Sequence, residues 1–223
     1  MIYKISPNEA FDGISKSIVV PAKIKADCIL KCYPETPVFS DGGAVMIVFG
    51  ERGFVFGKPA SPEELEVFLR FNCVKTVEGD IDSLNDKKTE FSVMEADGKN
   101  QESEQVKIEP AARLISKTFS LDFPSLYSDL CRRVNSSVGS VFGDSVSAAA
   151  LHKSEYGLLL WGVSVAETER GKGKGKKIVK KVLKGANGKV LVVCKKELES
   201  FYEKCGFKKT GSVFEINVEE IDS

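Results

Sequence analysis

Residues 170–177 read Arg-Gly-Lys-Gly-Lys-Gly-Lys-Lys and lie between an apolar run and a basic, helix-like stretch. Three glycines at alternate positions let backbone approach a ligand without a Cβ in the way. A helix that starts here leaves its first N–H groups unpaired and adds the positive end of its dipole. Such a segment is a cradle for an anion, best suited to phosphate or pyrophosphate, with the lysines adding longer-range attraction. Two familiar phosphate loops do not fit. A Walker A loop needs glycine at Arg170 and Ser or Thr at Lys177, and a GxGxxG turn starting at Gly171 needs glycine at Lys176.

Elements that would hold the loop can be read on both sides. Runs 139–143, 146–152 and 156–165 are three strand candidates with turns at Asp144 and at 153–155; the third is almost wholly apolar, as for a strand buried on both faces. A basic helix over about 172–184 follows, with Ile178, Val179, Val182 and Leu183 as its apolar stripe. Then come a strand at 189–194, a helix at about 197–205 and a last strand at 211–218. Upstream, 123–134 has helical spacing of apolar residues. In the first half, 8–33 holds helix-compatible segments interrupted at Pro21. Segment 44–57 reads as a hairpin turning at 51–53, and Ser61-Pro62-Glu63-Glu64 is a helix start with cap, N1 proline and first-turn acids. A strand at 74–79 and the short FSVM run at 91–94 complete that half. Residues 95–107 contain only Ala96 and Val106 as apolar residues, too few to offset ordering entropy, and predict a polar linker.

Arg170, Gly173 and Gly175 meet the pattern Arg/Gln-x-x-Gly-x-Gly/Ala. Phe201-Tyr202-Glu203-Lys204-Cys205-Gly206-Phe207 supplies an aromatic-Tyr-x-x-x-Gly-Phe segment, and Gly162 to Val165 close the strand before the loop. With these three segments in order, residues 108–223 resemble the GNAT acyltransferase superfamily, and the whole chain is similar to bacterial two-part GNAT proteins. The resemblance implies an α/β (α+β) fold, a mixed twisted sheet flanked by helices. It divides the chain into an N-terminal α/β segment (1–94), a polar linker (95–107) and an acetyltransferase domain (108–223). It implies acetyl-CoA as cosubstrate with no metal, held by Arg170, Gly171, Lys172, Gly173, Lys174, Gly175 and Lys176 at the pyrophosphate, and by Val163, Ser164 and Val165 along the pantetheine arm. Tyr202 is implied as general acid. Glu155, Glu167 and Glu169 are carboxylates near strand ends, and Glu155 is the expected base; His152, the only histidine, has a suitable pKa for that work. The family often has proline where Glu167 stands and asparagine where Lys195 stands.

Composition narrows the partners. The 223 residues are 42% hydrophobic and 29% charged, with 32 basic and 32 acidic residues, which argues against disorder and against a general pull toward nucleic acid or anionic membrane. No run approaches a membrane span, and the first residues lack the form of a secretory signal, so a cytoplasmic location is expected. The six cysteines form no CxxC pair, and zinc is not expected. The resemblance implies an amine-bearing acceptor as partner, and a monomer or homodimer is expected. Two other readings stay open. One is a CoA-binding sensor without catalysis. The other is nucleic-acid binding through 170–184, where eight of fifteen residues are basic but no aromatic is interleaved to stack bases.

Overall fold

The local signals at the helix starts form as the sequence chemistry dictates. Ser61 accepts the Glu64 N–H at 3.1 Å with Pro62 inside the first turn, and Ser6 closes a capping box with Glu9. In the computed structural model, which describes residues 1–82, 84, 88–101 and 106–218, the elements run β1 (Tyr3–Ile5), α1 (Pro7–Lys16), α2 (Val20–Cys32), β2 (Val38–Ser40), β3 (Ala44–Phe49), β4 (Arg52–Gly57), α3 (Pro62–Phe71) and β5 (Thr76–Gly79). They continue with β6 (Lys88–Asp97), α4 (Ile108–Phe119), α5 (Phe123–Asn135), β7 (Gly139–Gly143), β8 (Ser147–Ser154), β9 (Gly157–Val165), α6 (Lys174–Gly185), β10 (Lys189–Cys194), α7 (Glu199–Glu203) and β11 (Lys208–Asn217). This is a mixed α/β fold. Pro21 begins α2 rather than interrupting a helix, because its missing N–H is unneeded in a first turn. The hairpin turns at Gly50-Glu51, where Gly50 takes φ +58, one step before the position the sequence suggests.

The chain forms two compact units, 1–91 with 212–223, and 92–211. In the first, strands lie in the order β1-β2-β3-β4-β5, followed by residues 212–217 of β11. Pairing is antiparallel except for β4 with β5, which α3 connects as a parallel crossover. Leu65, Leu69, Val55 and Val77 pack there with Ile216 and Val218. In the second unit, residues 92–97 of β6 pair antiparallel with β10, β10 pairs parallel with β9, and β9, β8 and β7 form an antiparallel meander. The two-residue period of β8 sorts its alanines: Ala148 and Ala150 face α4 and α5, while Ala149 and Leu151 face α6 and α7. Each unit follows the same element order: strand, two helices, three antiparallel strands, crossover helix, parallel strand. The pairing differs at one place: β1 joins β2 at the edge of its meander, whereas β6 joins β10.

The expectation of a linker over 95–107 needs correction. Residues 95–97 lie in β6 paired with β10. Residues 98–101 then donate backbone N–H groups to the carbonyls of Gly188, Leu183, Ala186 and Lys184, each at 2.8 Å, covering the C-terminal end of α6. Polar composition does not prevent ordering when the backbone itself is the binding group. Residues 102–105 of that segment lie outside the described residues. A Cβ on Gly98 would stand 2.3 Å from the Ala186 carbonyl oxygen. Gly98→Ala is therefore expected to cost about 1–3 kcal/mol, read as a lower urea midpoint; an unchanged midpoint would deny the 98–101 contacts any part in stability.

Candidate active site

The site begins where two parallel strands part. β9 pairs with β10 only over Leu158–Leu160 against Val190–Val192, yet β9 continues to Val165 and β10 to Cys194. A bulge accompanies the parting. Trp161 pairs with Ala150 and Ser164 with Ala148, so Gly162 and Val163 stand opposite the single residue Ala149. Gly162 takes φ +65 there, and Ile115 of α4 packs 3.3 Å from where its Cβ would be. Bulges increase local twist and turn a strand edge away from its neighbour. The β10-facing edge of Val163, Ser164 and Val165 is left open for an extended ligand. The Ser164 hydroxyl turns inward and donates to the Gly162 carbonyl at 3.0 Å, so it braces the bulge and leaves the backbone to meet a ligand.

From Val165 the chain passes through a single 3₁₀ turn at Glu167–Glu169 and enters α6 at Gly173. Gly171 and Gly173 take φ +77 and +75, and a Cβ on either would meet nothing within 4 Å. Two glycines are thus demanded by backbone conformation and face open space. No side chain caps α6, so its first N–H groups point outward with the helix dipole behind them. Gly175 does a different job: its Cβ would lie 3.3 Å from the Phe201 ring and 3.5 Å from Val165, so its small size lets α6 close onto α7 and β9. Glu169 holds Lys172 at 3.0 Å and lies 3.9 Å from Lys174. Arg170 and Lys176 have no ion-pair partner among the described residues.

Tyr202 lies on α7 at 6% exposure, edge-on to Phe201 (5.0 Å) and Phe207 (5.6 Å). Burial pushes its phenol well above the ordinary value, with the Cys194 and Cys205 thiols adding to the rise. The phenol keeps its proton throughout the neutral range and can donate it. The start of α7 is fixed by Glu199, which accepts from the Ser92 hydroxyl and from Lys209 at 2.9 Å. The Ser92 hydrogen bond, then Lys209, holds the Glu199 carboxyl below its usual value. Lys195 is exposed at the end of β10.

A groove of about 990 Å³ runs beside this corner, between α4 and segment 165–170. The structure does not bring Glu155 to it. Glu155 sits in the β8–β9 turn at the start of β9, and from Gly157 to Val163 the strand spans about 20 Å. His152 is also at that far end, paired with Gly139, stacked on Trp161 at 5.2 Å and 3.5 Å from Arg133. Both expectations used nearness in sequence to the apolar run without fixing which end of the strand carries the site. Glu167, by contrast, lines the groove and has no ion-pair partner among the described residues. Two features were missed in the sequence: the bulge at Gly162, signalled by a lone glycine inside a strand pattern, and the α4 helix, signalled by Ala111, Ala112, Leu114 and Ile115 at helical spacing.

Residues 137–209 match the family model described as the acetyltransferase (GNAT) domain. Over that span the chain is similar to a GNAT acetyltransferase domain. Solved structures agree in fold along nearly the full length. A GNAT-family acetyltransferase from Colwellia psychrerythraea shares 12% identity at a TM-score of 0.59, covering 97% of this chain and 99% of the other. A GCN5-related N-acetyltransferase from Sphaerobacter thermophilus gives 11% and 0.55, covering 98% and 95%. A tandem GNAT protein from the clavulanic acid biosynthesis pathway gives 10% and 0.56, covering 98% of each chain. No curated protein matches the sequence. Among the described residues, no helix is long and apolar enough to cross a membrane.

The counterpart of the 170–176 loop in the first unit is closed by its own carboxylates. Pairing of β4 and β5 continues to Val55 with Gly79, and Asp80 N–H then donates to Val55 at 2.8 Å, so no opening forms. The Gly57 N–H donates to Asp80 at 2.8 Å and the Ala60 N–H to Asp41 at 2.7 Å. Burial alone would raise the Asp41 carboxyl, but N–H donors from Ala44, Gly43 and Ala60 outweigh it and hold it below its ordinary value. Internal acids occupy donors there, whereas no side chain caps the start of α6.

Proposed function

We propose that the protein is an N-acetyltransferase that moves an acetyl group from acetyl-CoA to an amine, at the corner formed by the parted strands, the 170–176 loop and Tyr202. The observation that carries this reading is the open edge of β9 leading directly into an uncapped helix start with two positive-φ glycines. Arg170, the N–H groups from Gly171 to Lys176, and Lys176 hold the pyrophosphate; Lys172 and Lys174, partly engaged by Glu169, add attraction. Backbone groups of Val163, Ser164 and Val165 align the pantetheine arm as a further strand would be aligned. When bound, acetyl-CoA supplies an activated acyl thioester.

The chain's own residues then have three tasks. A backbone N–H at the bulge faces the acyl oxygen and stabilises the charge that develops there. Tyr202 delivers its proton to the departing sulfur, a role typically worth about 10²–10⁴-fold. The attacking amine must be neutral, and an alkylamine of pKa near 10.4 is only about 0.1% neutral at pH 7. Glu167 takes over from Glu155 as the carboxylate placed to receive that proton, through water. The ordinary composition fits a cytoplasmic enzyme.

Isothermal titration with acetyl-CoA, with ATP and NAD as controls, tests the reading. Binding on the order of micromolar at one equivalent per chain is expected, because Asp41 and Asp80 fill the donors of the first unit. Absence of acetyl-CoA binding would reduce 170–177 to a basic helix start, and two equivalents would refute the closed state of the first unit.

A further inference from the structure

We propose that the groove between α4 and segment 165–170 binds the acceptor, and that it selects an amine bearing an anionic group, a carboxylate in particular, at its far end. This rests on the acetyltransferase reading and adds the chemical class of the acceptor. Val165 and Ala166 line the groove and continue the open edge of β9, so a molecule lying there borders the path of the thioester.

The charges on the two walls differ. On the loop wall stands Glu167, suited to meeting an ammonium. The helix wall carries Lys107, Glu109, Arg113 and Lys117, and the loop wall carries Arg170 beside Glu167. Arg113 is spoken for: its Nε and Nη2 both donate to Glu109 Oε1, at 3.0 and 2.8 Å, and its guanidinium lies 4.1 Å over the Phe123 ring. Lys107 and Lys117 have no ion-pair partner among the described residues. Arg170 is placed with the phosphate loop. With Glu109 and Arg113 paired to each other, the groove offers the Glu167 carboxylate on the loop wall and two ammonium groups on the helix wall, and Ile108, Leu114 and Val165 add apolar lining. A zwitterion with a hydrocarbon middle matches that order of charge, apolar surface and opposite charge. A plain alkylamine leaves both lysines without a counter-charge, and a polyamine places a second cation against them.

The anion met by the lysines could also be a CoA phosphate, and the test separates the two sources. The full-length protein is assayed with acetyl-CoA and two amines of equal chain length and similar basicity, 6-aminohexanoate and hexylamine. The expected result is a kcat/KM about tenfold or more in favour of 6-aminohexanoate, the range of one charge-assisted hydrogen bond. Lys117→Gln is expected to collapse most of that preference. Equal kcat/KM for the two amines overturns the proposal. A Lys117→Gln variant that keeps the preference but loses affinity for acetyl-CoA, and not for its 3′-dephospho form, assigns the lysine to the cofactor phosphate and also overturns it. Intact acetyl-CoA binding with no turnover of either amine refutes the acceptor class alone. Loss of acetyl-CoA binding by the unmodified protein refutes the acetyltransferase reading and this proposal together.

Discussion

Gly173→Glu is expected to abolish acetyl-CoA binding, raising Kd by more than about 100-fold, or about 2.7 kcal/mol. Two effects combine. Gly173 takes φ +75 at the N-cap of α6, a conformation that costs an L-residue about 1–2 kcal/mol. The new carboxylate would also sit in the open space before the helix N–H groups, where it is favoured by the dipole and excludes a second anion. Titration calorimetry reads the affinity. The matched control is Gly42→Glu in the first unit, where φ is +89 and the surroundings are equally open. That variant bears the same backbone strain and should bind acetyl-CoA normally. Equal affinity in Gly173→Glu and the unmodified protein would remove the loop from the cofactor site; equal loss in both variants would trace the effect to strain.

Tyr202→Phe is expected to lower kcat by about 100-fold while leaving acetyl-CoA affinity within about twofold, since the backbone contacts proposed for the 170–176 loop do not involve the phenol. The ring keeps its edge-on packing against Phe201 and Phe207, so the fold should persist. Because burial raises the phenol, the rate should show no alkaline fall from Tyr202 as pH rises to about 10, the ordinary tyrosine value. A fall in the unmodified enzyme that vanishes in Tyr202→Phe would contradict the burial-raised proton donor. An unchanged kcat would remove Tyr202 from the acid role.

The loop was legible because its chemistry is local: alternate glycines, a helix behind them and an apolar strand before them are all consecutive. Tyr202 was legible for the same reason, through its spacing to Gly206 and Phe207. The helix at Ser61 and the meander of β7, β8 and β9 also follow from neighbouring residues. What escaped depends on partners distant in sequence. β6 contains Glu95 and Asp97, and only its register against Val190 to Cys194 makes it a strand. The first unit shows no ligand motif because Asp41 and Asp80, far apart in sequence, fill its donors together. Glu155 was misplaced because its adjacency to the β9 run says nothing about strand direction.

The first unit is completed by the end of β11, where Glu215 to Asn217 pair with Glu78 to Thr76 and Ile216 and Val218 enter its apolar cluster. The second unit, 92–211, is an uninterrupted insertion between those partners. During synthesis the usual order, in which the N-terminal part folds first, is therefore reversed. Every residue of the second unit has been made before the first can acquire its last strand. Until then the outer edge of β5 is bare and the cluster around Val77 is unfilled. A premature stop near the end of the message would leave the 170–176 loop and Tyr202 intact and fall on the half of the protein that was translated first.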